Sequence, residues 1–120
     1  MRYLMFIKHA ESVRAESQPK ALMDAMGAYV TEGFKAGWLL DTAGLKGTAD
    51  ATRVRLSDGK LKVTDGPFTE AKEMIGGYAL IEAKTKREAV ALATQFMELH
   101  RVHAPKFVGE CEVRPLEDMG

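Results

Sequence analysis

Residues 63–78 read VTDGPFTEAKEMIGGY: a strand that turns a rigid acidic corner and leaves through a glycine pair. Asp65, Gly66, Pro67 and Phe68 set in succession a carboxylate, a residue free in φ, a ring that fixes φ and removes an N–H, and an apolar anchor. An Asp at such a corner usually accepts from the N–H two residues on, but that residue is Pro67, which has none. The Asp65 carboxylate therefore either reaches on to the N–H of Phe68 or Thr69 as a turn cap, or stays available in a pocket. There it would serve as a hydrogen-bond acceptor for a ligand or as a general base. Glu70, Lys72 and Glu73 follow, either as a solvated charged loop or lining the same cleft, with Lys72 as a cation for an anionic group.

Upstream of this corner, Thr52, Val54 and Leu56 alternate with Arg53 and Arg55. After Asp58 and Gly59 the pattern resumes as Leu61 and Val63 against Lys60 and Lys62. That is a hairpin with a two-residue turn, whose register sets Leu56 opposite Leu61 and Val54 opposite Val63, with the four basic residues on the other face. Tyr3 to Ile7 is apolar at both parities, as expected of a central strand covered on two faces. Ser17, Gln18 and Pro19 announce a helix over Pro19 to Ala36, whose apolar face is Leu22, Met26, Tyr29, Val30 and Phe34 and which Gly37 ends.

Trp38, Leu39 and Leu40 start a second strand, and Gly44 to Asp50 is a bend or bulge. Beyond the acidic corner, Gly77 to Ala83 reads as a strand, and Thr85 to Glu88 is a capping box opening a helix that buries Ala89, Leu92, Ala93, Phe96 and Leu99. Val108 to Arg114 is the last strand, after Ala104 and Pro105 stop the helix. The order β, α, β, hairpin, β, α, β makes two βαβ-like halves of one α+β domain, residues 1–120.

DGPFTEAKE followed by GGY resembles the signature of the DGPF branch of the YciI-related (YCII) proteins, small bacterial proteins of mostly unestablished activity. The similarity extends to Arg2 to Lys8, to Gly44 and Leu45, to Ala51 to Val54 and to Glu112 to Pro115, and so covers most of the chain. It implies a ferredoxin-like sandwich with an inserted hairpin, pairing into a dimeric α/β barrel with a cleft beside the sheet. In YciI-type relatives, proposals of proton transfer rest on a first-helix histidine paired with an aspartate in that cleft. The first helix here has no histidine, and its inward positions include Met26 and Tyr29, so His9 at the end of strand 1 is the residue placed to stand in. By the same resemblance Glu32 is a second carboxylate for the cleft and Arg114 a partner for one. Some relatives are encoded with extracytoplasmic-function sigma factors, which implies a transcription-linked partner.

Bulk properties narrow the classes. Lys plus Arg and Asp plus Glu are both 17, so zero net charge gives no reason to expect nucleic acid or an anionic membrane. The basic hairpin face then protects an edge or covers a partner's acidic surface. One cysteine and seven methionines suit a reducing cytoplasm, and with no cleavable apolar leader and no run long enough to span a bilayer the chain reads as soluble and unprocessed. His100 and His103 share a helix spacing, but lie where cations suit the dipole and where no carboxylate or cysteine completes a ligand set; they read as structural or surface residues. Cys111 reads as a packed thiol. No phosphate-binding glycine loop, nucleophile elbow or metal-ligand cluster is present, so neither cofactor nor metal is expected.

Three functions fit, in this order: a small-molecule-binding homodimer with its cleft near the DGPF turn, a small acid/base enzyme (lyase, isomerase or hydrolase) using Asp65, and a sigma-factor-associated interaction module. A bare sheet face opposite two helices is the reason to expect the homodimer.

Overall fold

The computed structural model describes residues 1–10, 18–69 and 72–117. In chain order it contains β1 (Arg2–His9), α1 (Lys20–Ala36), β2 (Leu39–Gly44), β3 (Thr52–Ser57), β4 (Lys60–Asp65), β5 (Met74–Glu82), α2 (Lys86–His103) and β6 (Gly109–Pro115), with a 3-10 turn at Thr48–Asp50. Four strands form one antiparallel sheet in the order β2-β5-β1-β6, while β3 and β4 pair only with each other. With the hairpin set aside, each helix connects two strands that flank a third, the split βαβ arrangement of a ferredoxin-like sandwich.

Alternation along the strands decides which face is covered. Tyr3 and Met5 of β1, Leu39 of β2 and Ile81 of β5 point to the helices and form the core with Ala83, Ala89 and Ala93. The two α2 alanines, without bulk beyond Cβ, let that helix sit close to the sheet. Its N-terminus is held as the sequence implies, the Glu88 N–H donating to Thr85 Oγ1 at 3.1 Å while Glu88 Oε2 accepts from the Lys84 N–H at 2.8 Å. At the start of α1 the cap position is Pro19, which makes no side-chain cap bond, and the expected Ser17 lies outside the described residues; Gly37 in the left-handed region ends it.

The opposite sheet face carries Leu4, Phe6, Tyr78 and Leu80, with Leu4 paired to Leu80 and Phe6 to Tyr78. These four are only half-buried. The expectation that β1 is covered on both faces is therefore corrected: both helices lie on one side, and no described element covers the other. Strand β5 also begins earlier than its glycines suggest, because Met74 and Ile75 pair with His9 and Lys8 across a register shift.

The hairpin has the expected register, with Asp58 (φ 52°) and Gly59 (φ 75°) both at positive φ as a two-residue turn of matching twist requires. At its base the Gly66 N–H donates to Ala51 O at 2.8 Å, and the Phe68 N–H to Thr48 Oγ1 at 3.3 Å. A Cβ on Gly66 would fall 1.7 Å from Thr48 O, so only glycine fits this close approach. The Arg53 guanidinium lies over the Phe68 ring at 3.7 Å. Beyond this base Val54, Leu56, Leu61 and Val63 are 66–71% exposed. The radius of gyration is 16.1 Å, against about 14 Å for a compact chain of this length. Among the described residues no helix is long and apolar enough to cross a membrane.

Candidate functional site

Where the sheet meets the helices beyond the packed core lies a cavity of about 600 Å³. Its floor is low because β5 supplies Gly76, Gly77 and Ala79 at that end, so no large side chain rises from the central strand. Inward positions of α1 (Met26, Tyr29, Val30) and α2 (Phe96, His100) roof it, and His9, Phe107 and Cys111 close one end. The volume falls within the range of about 300–1,000 Å³ seen for small-molecule pockets in general.

Two histidines are the chemical centre of this wall. His9 is 5% exposed and His100 is 2% exposed, the buried polar side chains of the described core. His9 Nδ1 is 2.9 Å from Ala10 O, and His100 Nδ1 is 3.0 Å from Phe96 O. A carbonyl oxygen only accepts, so each Nδ1 carries a proton, and in the neutral tautomer that this fixes the acceptor is Nε2. The Phe107 ring bridges the two, 6.1 Å from His9 and 4.7 Å from His100 between centroids. His9 also lies against the β5 backbone, where a Cβ on Gly76 would stand 2.3 Å from its Nε2.

Burial sets the charge states around the cavity. It pushes His100 below the ordinary imidazole range; the bond to Phe96 O opposes this, and nearby His9 adds to it. The Cys111 thiol is raised by burial to about 11. Tyr29 is raised to about 12 by burial first, then by Glu32 and Cys111. Its hydroxyl bonds outward, donating to Leu92 O at 2.8 Å and lying 3.1 Å from Gln95 Oε1, and so ties α1 to α2. Thr42 Oγ1 donates to Tyr78 O at 2.7 Å, and the Tyr78 hydroxyl to Asp41 Oδ2 at 2.9 Å. The lining groups that titrate are thus protonated thiol and phenol or imidazole, with no carboxylate, Lys or Arg among the described lining residues.

Of the residues singled out for the cleft in the sequence, His9 lines this cavity and the others that can be placed, exposed Glu73 among them, do not. Asp65 is exposed at the end of β4, where Oδ1 accepts from Thr52 Oγ1 at 2.9 Å across the hairpin. Lys72 is exposed just before β5. Glu32 sits on the outer side of α1, beside a shallow depression shared with Gln95, Glu98 and His103 of α2. Arg114 lies on the open sheet face, its guanidinium paired with Glu112 and 5.7 Å from the Phe6 ring centroid. Glu70 lies outside the described residues. Among the described residues no group of three metal-ligating side chains comes together.

His100 was missed as a cavity residue. The signal for it was the run Ala89, Ala93, Phe96, His100, spaced four, three and four, which continues the buried stripe of α2 into the histidine. His103, one turn on, falls on the other side, in the shallow depression.

The YCII-related domain matches residues 1–98. An uncharacterized protein of Rhizobium meliloti (strain 1021), R00369, is 32% identical over 119 residues, covering 97% of this chain and 92% of the relative.

Proposed function

The chain belongs to the YCII-related domain family, and we propose that it is a small-molecule-binding protein whose ligand occupies the cavity between helices and sheet. The observation that carries this reading is the pair of buried imidazoles, His9 and His100, on the wall of an aromatic-lined cavity of about 600 Å³. Burying two imidazoles is costly without compensating partners, and an apolar cavity that served packing alone would not need them. A thermal-shift screen of the intact chain against metabolites tests it, because a ligand that prefers the folded state raises its stability. The reading predicts that His9→Phe and His100→Phe weaken any response found. A complete absence of response, or a response indifferent to both substitutions, would count against it.

A second reading, a small acid/base enzyme, is favoured by one feature of the same site. Each ring has Nδ1 anchored on a carbonyl, which fixes its orientation and makes Nε2 the atom that takes up a proton in the neutral tautomer. In that reading His9 and His100 take the role that sequence reasoning gave to Asp65. Turnover of a bound ligand, lost in His100→Gln with binding retained, distinguishes it from binding alone.

The protomer is further proposed to pair with a second copy into a dimeric α/β barrel. Support comes from the uncovered face of Leu4, Phe6, Tyr78 and Leu80 and from the exposed apolar side of the hairpin. Arg114 then lies between the two sheets and Asp65 at the root of an arm that reaches the partner. Sedimentation across a concentration series tests the association.

A further inference from the structure

Resting on the binding reading above, we infer that the ligand of this cavity is an uncharged, largely apolar molecule that presents hydroxyl or N–H hydrogens, with a flat aromatic body the best fit to the walls.

The inference follows from the polar atoms the cavity offers. His9 and His100 each commit Nδ1–H to a backbone carbonyl. Neither Nε2 has a protein partner among the described residues, yet no buried side-chain nitrogen or oxygen there is left unpaired. Each Nε2 is therefore in touch with open space, and both rings line the cavity. The other hydroxyls of the wall are engaged: Tyr29 with Leu92 O and Gln95, Thr42 with Tyr78 O, and Tyr78 with Asp41. Cys111 contributes a thiol, a weak donor at best. Gln18 is exposed at the rim.

Among the described residues the lining thus presents two strong side-chain acceptors, with the Trp38 indole N–H and the exposed Gln18 amide as its remaining donors. Among the described lining residues an anion would meet two lone pairs and no cationic side chain. A cation would find acceptors but, among the same residues, no carboxylate to balance its charge in an apolar surround. A hydroxyl or N–H satisfies an Nε2 without moving any charge. Rings of Tyr29, Trp38, Phe96 and Phe107 surround the same space, with Tyr29 and Trp38 5.2 Å apart between centroids. Such walls accept an aromatic body face-on or edge-on.

A matched series of naphthalenes separates the possibilities in calorimetric titrations of the intact chain, at about pH 8 so that ordinary imidazoles are uncharged. Naphthol carries a donor, methoxynaphthalene the same shape without one, naphthoate a negative charge and the naphthylmethylammonium ion a positive one. Naphthol should bind about tenfold or more tighter than methoxynaphthalene, the usual consequence of leaving a buried acceptor unpaired. Both ions should bind more weakly than naphthol. His9→Phe and His100→Phe should narrow the gap between naphthol and methoxynaphthalene, and His9→Gln and His100→Gln serve if either Phe variant fails to fold. Methoxynaphthalene binding as tightly as naphthol, or either ion binding tightest, would overturn the inference and leave the binding reading standing. Failure of all four probes to bind would overturn the binding reading as well.

Discussion

The arm formed by β3 and β4 can be turned polar without being unfolded, by exchanging Leu56 for Lys and Leu61 for Glu. The two residues are directly paired across the hairpin, so the new side chains form a cross-strand ion pair in place of a cross-strand apolar contact. Leu56 is 69% exposed and Leu61 71% exposed, so each retains about two-thirds of its burial to gain from a partner. Complete burial of such a side chain is worth about 1.5–3 kcal/mol, so each leucine would contribute roughly 1–2 kcal/mol at an interface. A twofold dimer holds four of them, and the double exchange should therefore weaken association by about 4–8 kcal/mol, roughly a thousandfold to a millionfold in Kd.

That magnitude rivals the whole cost of association, about 4–15 kcal/mol. The result expected from sedimentation velocity is thus a dimer for the native chain and a folded monomer for the variant at the same micromolar concentration. Circular dichroism should be unchanged, because a two-stranded hairpin contributes little stability of its own in water. A native chain that sediments as a monomer refutes the reasoning at its root. A variant that dimerises as tightly as the native chain refutes the part assigned to the hairpin. It would shift the weight to the open sheet face, where Phe6→Asp becomes the decisive substitution.

Burial holds the folded-state pKa of His100 below its unfolded value, so the unfolded chain takes up that proton first. Its contribution to stability is then intact above the ordinary imidazole value of about 6.5 and is lost as pH falls from there through the lower folded-state pKa. Urea midpoints measured across this range should fall with pH in the native chain and fall less in His100→Gln; equal slopes would refute the assignment. Gly76→Ala sets a Cβ 2.3 Å from His9 Nε2, and should cost about 1–3 kcal/mol while disturbing naphthol binding. Gly27→Ala in α1, with nothing within 4 Å, should instead stabilise by about 0.5–1 kcal/mol in the same thermal melts. Cys111, raised by burial to about 11, should react with iodoacetamide far more slowly than an exposed thiol at neutral pH, as mass spectrometry would show. Asp65→Asn keeps an acceptor for Thr52 and should be almost silent, whereas Asp65→Ala should cost up to about 1 kcal/mol. Loss of ligand response in the Asn variant would move the site to the DGPF corner.

Features that depend on neighbours in sequence were readable from residues alone; those that depend on distance between elements were not. Asp58 and Gly59 fix a two-residue turn, and with it every pairing from Thr52 opposite Asp65 to Ser57 opposite Lys60. Thr85 and Glu88 fix the start of α2 in the same way. The open face escaped a reading of β1 by itself, because Leu4 and Phe6 are as apolar as Tyr3 and Met5, and only the placement of both helices on one side distinguishes them.

The site shows the same division. Asp65 stands out because its corner cannot close in the usual way, but the partner it finds is Thr52, thirteen residues back and adjacent only once the hairpin has formed. His100 does not stand out, since a histidine in the last turn of a helix is explained by the helix dipole without any cavity. What separates the two meanings is the depth of the ring and the direction of its second nitrogen. A histidine that merely complements a helix end keeps its second nitrogen in water. His100 is 2% exposed, with Nδ1 held by Phe96 O of its own helix and Phe107 beside the ring, and it lines the same cavity as Gly76 and Gly77. The glycines that leave room there, and the histidines that border it, come from strands and a helix far apart in sequence. Their proximity becomes visible only where the fold brings them to one wall.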